Sequence, residues 1–252
     1  IALCRKSSTQ RIGTFTTPLR KWPTEFRPSL FETTAYLAAG NRIRGYAIPK
    51  ISAEIEAKAI PGMMSKLGTL AEAFVRTSQH KIFYRIGGGR YWKIFTTFQP
   101  QFLLNGISSV SSRESYLYFS SREDRDIAVS LLSSTLFYWY FMLTTNGRDL
   151  NPSDLRAFPI SPKRLSTEGK QKLVELSGQL MKSYRTHKAT KEKTSKSTGH
   201  VVYEEFYPRM SKDILDEIDQ VLGHELGLTK EQQDFFLNFE IKYRMGASDE
   251  EE

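Results

Sequence analysis

Residues 124–143 read DRDIAVSLLSSTLFYWYFML, and this stretch decides the fold. Its apolar positions (Ile127, Val129, Leu131, Leu132, Leu136, Phe137, Trp139, Tyr140) cover most of the circumference of a helix. A helix that is apolar nearly all round lies inside a protein. Asp124 supplies the negative charge that the dipole favours in a first turn, and Asn146-Gly147 supplies the stop. The pattern predicts one continuous buried helix from Asp124 to Leu143. Its apolar part is interrupted by polar residues and too short to span a bilayer, so no membrane contact is expected.

A buried helix needs layers on either side, and the flanks provide two kinds. Upstream, the chain reads as short strands and turns. Ile12–Thr17 and Phe31 to Tyr36 look like strands around an irregular stretch punctuated by Pro18, Pro23 and Pro28. Ala53, Ile55, Ala57 and Ala59 suggest a helical turn or two ended by Pro61-Gly62, and the three-and-four spacing of Leu67, Leu70, Ala71, Phe74 and Val75 suggests another helix. Lys81–Ile86 and Arg90–Phe98, joined by Gly87–Gly89, form the clearest hairpin, and Ser115–Phe119 is a further strand. Downstream, helices dominate. Thr167–His187 carries Leu173, Leu176, Leu180 and Tyr184 along one face. Ser211 caps a helix to Leu226 with a stripe of Ile214, Leu215, Ile218, Val221 and Leu222, stopped by Gly227. Thr229 caps another, with Phe235, Phe236 and Phe239 facing inward. Residues 188–200 are rich in Lys, Ser and Thr with no large apolar side chain and read as a flexible connection. The expected class is α+β: a mixed or antiparallel sheet region in residues 1–120, followed by a mainly helical C-terminal part.

The 252 residues carry 36 Lys+Arg against 28 Asp+Glu, a net charge of +8. The distribution is uneven: residues 1–100 hold 16 cations and 5 anions, residues 161–200 hold 10 and 3, and residues 201–252 hold 5 and 14. A basic first half suits a polyanion, with binding that falls steeply as salt rises; a solvated basic face is the other reading. The single Cys4 rules out a disulfide framework and a Cys-based zinc site, and the absence of bridges suits a reducing cytoplasm. The four His residues are far apart, there is no Walker loop, and no nucleophile-elbow pattern occurs. Gly87-Gly88-Gly89 sits between two strands, where it is no dinucleotide loop. Asp213, Asp216, Glu217 and Asp219 lie on one helix, at least three of them facing water. Nothing in this inventory argues for an enzyme acting alone.

Four segments carry a resemblance. The first is Arg20-Lys21-Trp22-Pro23-Thr24-Glu25-Phe26-Arg27-Pro28-Ser29-Leu30-Phe31. The second is Phe83-Tyr84-Arg85-Ile86-Gly87-Gly88-Gly89-Arg90-Tyr91-Trp92-Lys93. The third is Leu131-Leu132-Ser133-Ser134-Thr135-Leu136-Phe137-Tyr138-Trp139-Tyr140, followed by Gly147-Arg148-Asp149-Leu150-Asn151 and Phe158-Pro159-Ile160. The last runs from Ile218-Asp219-Gln220-Val221-Leu222 through Gly227-Leu228-Thr229 to Ile241-Lys242-Tyr243-Arg244-Met245-Gly246. In this order they resemble the C-terminal part of large adenine-specific DNA methyltransferases of restriction–modification systems, including the single-chain type IIG enzymes. Ser133 stands where that family usually has Asn.

The resemblance implies a division into the end of a methyltransferase catalytic domain (1–45), a target-recognition domain (46–160), a C-terminal helical region (161–246) and an acidic tail (247–252). It implies double-stranded DNA and an upstream methyltransferase domain as partners. S-adenosylmethionine is implied as cofactor of the parent enzyme, with no cofactor expected in this fragment. The family's (Asn/Asp)-Pro-Pro-(Tyr/Phe) loop, which holds the flipped adenine, has no counterpart here; Asn151-Pro152-Ser153-Asp154 does not match. The glycine-rich cofactor loop is missing too, and the chain opens on Ile rather than Met. The chain is therefore expected to be the specificity part of a longer enzyme and to be inactive alone. The alternative is a protein-interaction module whose helices 167–246 dock a catalytic or nuclease partner.

The candidate DNA contacts are Arg85, Gly88, Arg90, Tyr91, Lys93, Arg148 and Asn151. In the 83–93 hairpin the cations alternate with aromatics, and Arg can pair with a guanine edge or with a phosphate. The competing reading makes Tyr84, Tyr91 and Trp92 core and the cations their rim. The turn glycines allow positive φ or the close approach of a phosphate. Arg148 and Asn151 follow the aromatic helix in a loop, where Arg148 either contacts DNA or pairs with Asp149 or Asp154. The aromatic helix itself reads as core rather than as a base-stacking platform.

Overall fold

The computed structural model describes residues 14–19, 24–39, 48–65, 67–87 and 93–245. The elements in chain order are β1 (Phe15–Thr16), β2 (Leu37–Ala38), α1 (Glu54–Ser65), β3 (Lys81–Arg85), β4 (Phe95–Thr96), β5 (Phe102–Leu104), β6 (Ile107–Ser108), β7 (Glu114–Tyr118), α2 (Arg122–Ser133), α3 (Thr135–Thr144), α4 (Pro152–Arg156), α5 (Thr167–His187), β8 (Ala189–Ser195), β9 (Gly199–Glu205), α6 (Lys212–Leu226), α7 (Lys230–Asn238) and α8 (Ile241–Met245). All strand pairs are antiparallel, in sheets ordered β1-β2, β4-β3-β7 and β6-β5-β9-β8. The class is α+β, as the sequence predicts.

The expected long helix is two helices. Ser134 is extended (φ −70°, ψ 156°), and its hydroxyl accepts from the Phe137 N–H, capping α3. The two axes meet at 65°. The Ser133-Ser134-Thr135 run offers local side-chain bonds that compete with the helical ladder. The break is then held by a tertiary bond, because Asp219 of α6 accepts from the Thr135 N–H (2.8 Å) and from the Thr135 hydroxyl. No single helix among the described residues is long and apolar enough to cross a membrane.

Every aromatic of α3 from Phe137 to Phe141 is buried, so its packing is that of a core helix. Trp139 stacks edge-on to Phe236 of α7 and donates its indole N–H to Glu56 of α1 at 2.7 Å. Tyr138 donates to Glu240, and Tyr140 to the Ala157 carbonyl. α5 crosses α2, where the Ser130 hydroxyl donates to the Leu173 carbonyl. The N–H-accepting Asp219 and Arg244 of α8, the acidic and basic ends of the C-terminal motif, are both buried and attract one another. Of the five acidic residues on α6, Asp219 is the one inside.

Several local expectations change. α1 continues through Pro61, which lies on its exposed side while Glu56, Ala59 and Met63 form the buried stripe. Packing of that stripe outweighs the usual helix-breaking effect. Between Leu67 and Val75 there is one 3-10 turn, Leu70–Ala73, flanked by bridges Leu67↔Ile160 and Phe74↔Phe119. The three-and-four spacing there serves a tight turn between two sheet contacts. Residues 31–36 are turn and extended chain, with the short strand falling at Leu37–Ala38. Ser211 ends a 3-10 turn and bonds Ser183, so it makes no side-chain cap to α6. Gly227 does stop α6 in the left-handed region, and Thr229 with Gln232 forms a capping box on α7.

The largest correction is at 188–200. This segment is no loose connection but the arm β8–β9, paired over seven residues from Ala189↔Glu205 to Ser195↔Gly199. β9 is central, because β5 pairs its other side through Phe102↔Tyr203 and Leu103↔Val202. Composition misled because β8 is an edge strand whose Lys and Thr side chains meet water on both faces. Charged edges of that kind prevent further strand pairing.

Candidate nucleic-acid interface

Alternation along β3 separates two faces. Ile82 and Tyr84 point into the core, while Lys81, Phe83 and Arg85 point outward. Opposite them on β7 stand Tyr118, Tyr116 and Glu114. Tyr116 is 50% exposed, Phe83 meets it edge-on, and the Lys81 ammonium sits about 5 Å from the rings of both Tyr116 and Tyr118. Aromatics interleaved with cations on an outward sheet face are what stacking and phosphate contact require. Lys81, Tyr116 and Tyr118 escaped the sequence reading; the period-two pattern of Glu114–Tyr118, set opposite that of β3, is the signal that would have found them.

The cationic end of β3 gathers residues from three separate segments. The Ile86 N–H donates to the Arg113 carbonyl at 2.9 Å, and the Leu150 N–H donates to the Ile86 carbonyl at 2.8 Å. These two bonds bring the 146–151 loop and the start of β7 against the hairpin. Lys93 then lies in the field of Arg85, Arg113 and Asp149. Its pKa is lowered from the usual lysine range, first by burial, then by repulsion from Arg85, while Asp149 opposes the shift. Gly87 closes this corner: a Cβ there would stand 2.4 Å from Asp149 Oδ1 and 3.1 Å from Arg113 Nη1. Both atoms are the ends of exposed side chains, and the backbone at Gly87 does not have a positive φ.

The expected contact residues divide as follows. Arg85 and Lys93 line the same cleft. Arg148 is exposed in the adjoining loop, held by an Asn146 Oδ1 bond to its backbone N–H, and pairs with neither Asp149 nor Asp154. Asn151 has a structural use, since its N–H and Nδ2 both donate to Asp154 Oδ2 at the start of α4. Gly88, Arg90 and Tyr91, like Trp92, lie outside the described residues. So do residues 20–23 of the first family-like segment and the acidic tail.

The cleft runs between the outer side of β4-β3-β7 and the sheet containing β8–β9, with a volume of about 710 Å³. Arg85, Lys93, Lys191 and Lys193 line it together with three carboxylates. The carboxylates are already engaged. Glu114 accepts from Gln99 at 2.9 Å and its pKa is raised by burial. Glu204 accepts from the Gln101 N–H and from Lys188. Glu205 accepts from Tyr207 and lies 3.9 Å from Lys191. Arg85 and Lys193 have no ion-pair partner among the described residues. The cleft therefore offers net positive charge to an incoming anion. Among the described residues no group of three or more His, Cys, Asp or Glu side chains is placed to hold a metal ion. Comparison with models of known protein families, with curated proteins and with solved structures found no match to this chain.

Proposed function

We propose that the chain is the DNA-binding, target-recognition part of an S-adenosylmethionine-dependent adenine N6 DNA methyltransferase of the type IIG-like restriction–modification kind. Its partners would be double-stranded DNA and an upstream methyltransferase domain, in the cytoplasm, with the cofactor belonging to that domain. The observation that carries this reading is the meeting of Arg85, Lys93, Arg113 and the Arg148 loop at one end of β3, beside a cleft whose carboxylates are occupied. Phosphate contacts would orient the duplex, and an Arg reaching a base edge would select sequence.

Fluorescence anisotropy with a labelled duplex at low salt tests the proposal. Binding should weaken linearly on a log–log salt plot, and Arg85→Gln should weaken it further. Absence of binding to every duplex tried, by this chain and by a full-length parent alike, would overturn the reading. Docking through the acidic helices draws less support, because Asp216 already binds Lys212 and Glu217 lies 3.7 Å from Lys172.

A further inference from the structure

Resting on that DNA-binding reading, we propose that the β8–β9 arm is a second phosphate-contacting wall, so that one backbone of duplex DNA is held across the cleft between Lys191 and Lys193 on one side and Arg85 on the other. Period-two alternation sorts β8 by charge. Lys191 and Lys193 point into the cleft beside Tyr203 and Val201, their cross-strand partners. Glu192 points the other way and meets His200 at 3.7 Å, with Thr194 bonded to the same imidazole. The acid of the strand is thus kept off the cleft and the bases are kept on it.

The arm is also held in place. β9 lies between β8 and β5, the Asn105 side chain accepts the His200 N–H at 2.9 Å, and Phe206 packs on Phe98 and Tyr184. An anchored lysine pays less ordering entropy on meeting a phosphate than one on a loose chain. Lys191 shares its charge with Glu205, whereas Lys193 has no such neighbour among the described residues. Lys193 is the stronger contact.

The test compares duplex binding at several salt concentrations for the chain and four variants: Lys193→Gln, Lys191→Gln/Lys193→Gln, Lys193→Arg and Lys196→Gln. Lys196 sits in the exposed turn of the same arm, outside the cleft lining. Each phosphate contact removed lowers the salt slope by about 0.9. Lys193→Gln should lose about one such step, the double variant up to about two, and Lys193→Arg and Lys196→Gln none. Equal effects from Lys193→Gln and Lys196→Gln would overturn the proposal in favour of diffuse attraction. An unchanged slope in the double variant, with Arg85→Gln still weakening binding, would overturn the second wall and leave the DNA-binding reading standing. Failure of the unaltered chain and of a full-length parent alike to bind would overturn both. Thermal midpoints within a degree or two of the parent show that the exposed substitutions leave the arm folded.

Discussion

Replacing Asp219 by Asn tests the buried network joining α6, α3 and α8. The carboxylate accepts from the Thr135 N–H and hydroxyl and attracts Arg244, which is only 1% exposed. Asn keeps the shape and, like the protonated carboxyl, carries no charge, but it has one acceptor oxygen where the carboxylate has two for the Thr135 N–H and hydroxyl. Losing one buried hydrogen bond costs about 1–3 kcal/mol. Burial, outweighing Arg244 and the hydrogen bonds, pushes the Asp219 pKa up from 3.8 to about 6. A carboxyl with a raised folded pKa binds a proton on folding. Its contribution is fully present below the unfolded pKa and is lost as pH rises through the folded one. Between pH 7 and pH 5 the parent should gain about 1 kcal/mol that the Asn variant cannot, one pKa unit being worth about 1.4 kcal/mol. Urea unfolding followed by tryptophan fluorescence measures both stabilities. The gap should be about 1–3 kcal/mol at pH 7 and wider at pH 5. A variant as stable as the parent at pH 7, or a gap that narrows on acidification, would refute the reasoning.

Three further outcomes follow from single contacts. Trp139→Phe removes the indole donor to buried Glu56 and should lower stability by about 1–3 kcal/mol, read as a drop in thermal midpoint. Gly87→Ala sets a Cβ against the tips of the exposed Asp149 and Arg113 side chains, which can swing aside, so chemical denaturation should show a loss below about 1 kcal/mol. Gly106→Ala should cost about 1 kcal/mol by chemical denaturation, because Asn105 and Gly106 turn the β5–β6 hairpin with φ of 51° and 80°.

The chain's own pattern determined a good deal. All-round apolar character placed 124–143 in the core, because no orientation of such a helix spares its side chains from water otherwise. The stripe and caps of Thr167–His187 and the Thr229 cap of α7 were legible because helix signals are local, carried within a turn or two of the residue concerned. The hairpin at 81–98 and its cations were legible for the same reason, although its second strand is only Phe95–Thr96. The Asn105-Gly106 turn between β5 and β6 carries an equally local signal.

Tertiary structure decided what depended on distant partners. The bend at Ser134 is held through Thr135 by Asp219, 84 residues away from that threonine in sequence. The Lys/Thr-rich segment became a strand because β9 found β5 across about a hundred residues. Arg85, Lys93 and the Arg148 loop were separate marks on a line until the Ile86 carbonyl took the Leu150 N–H. A hydrogen bond or ion pair between residues far apart leaves no periodicity in either segment, so only the folded chain reveals which charges share a cleft and which are spent on one another.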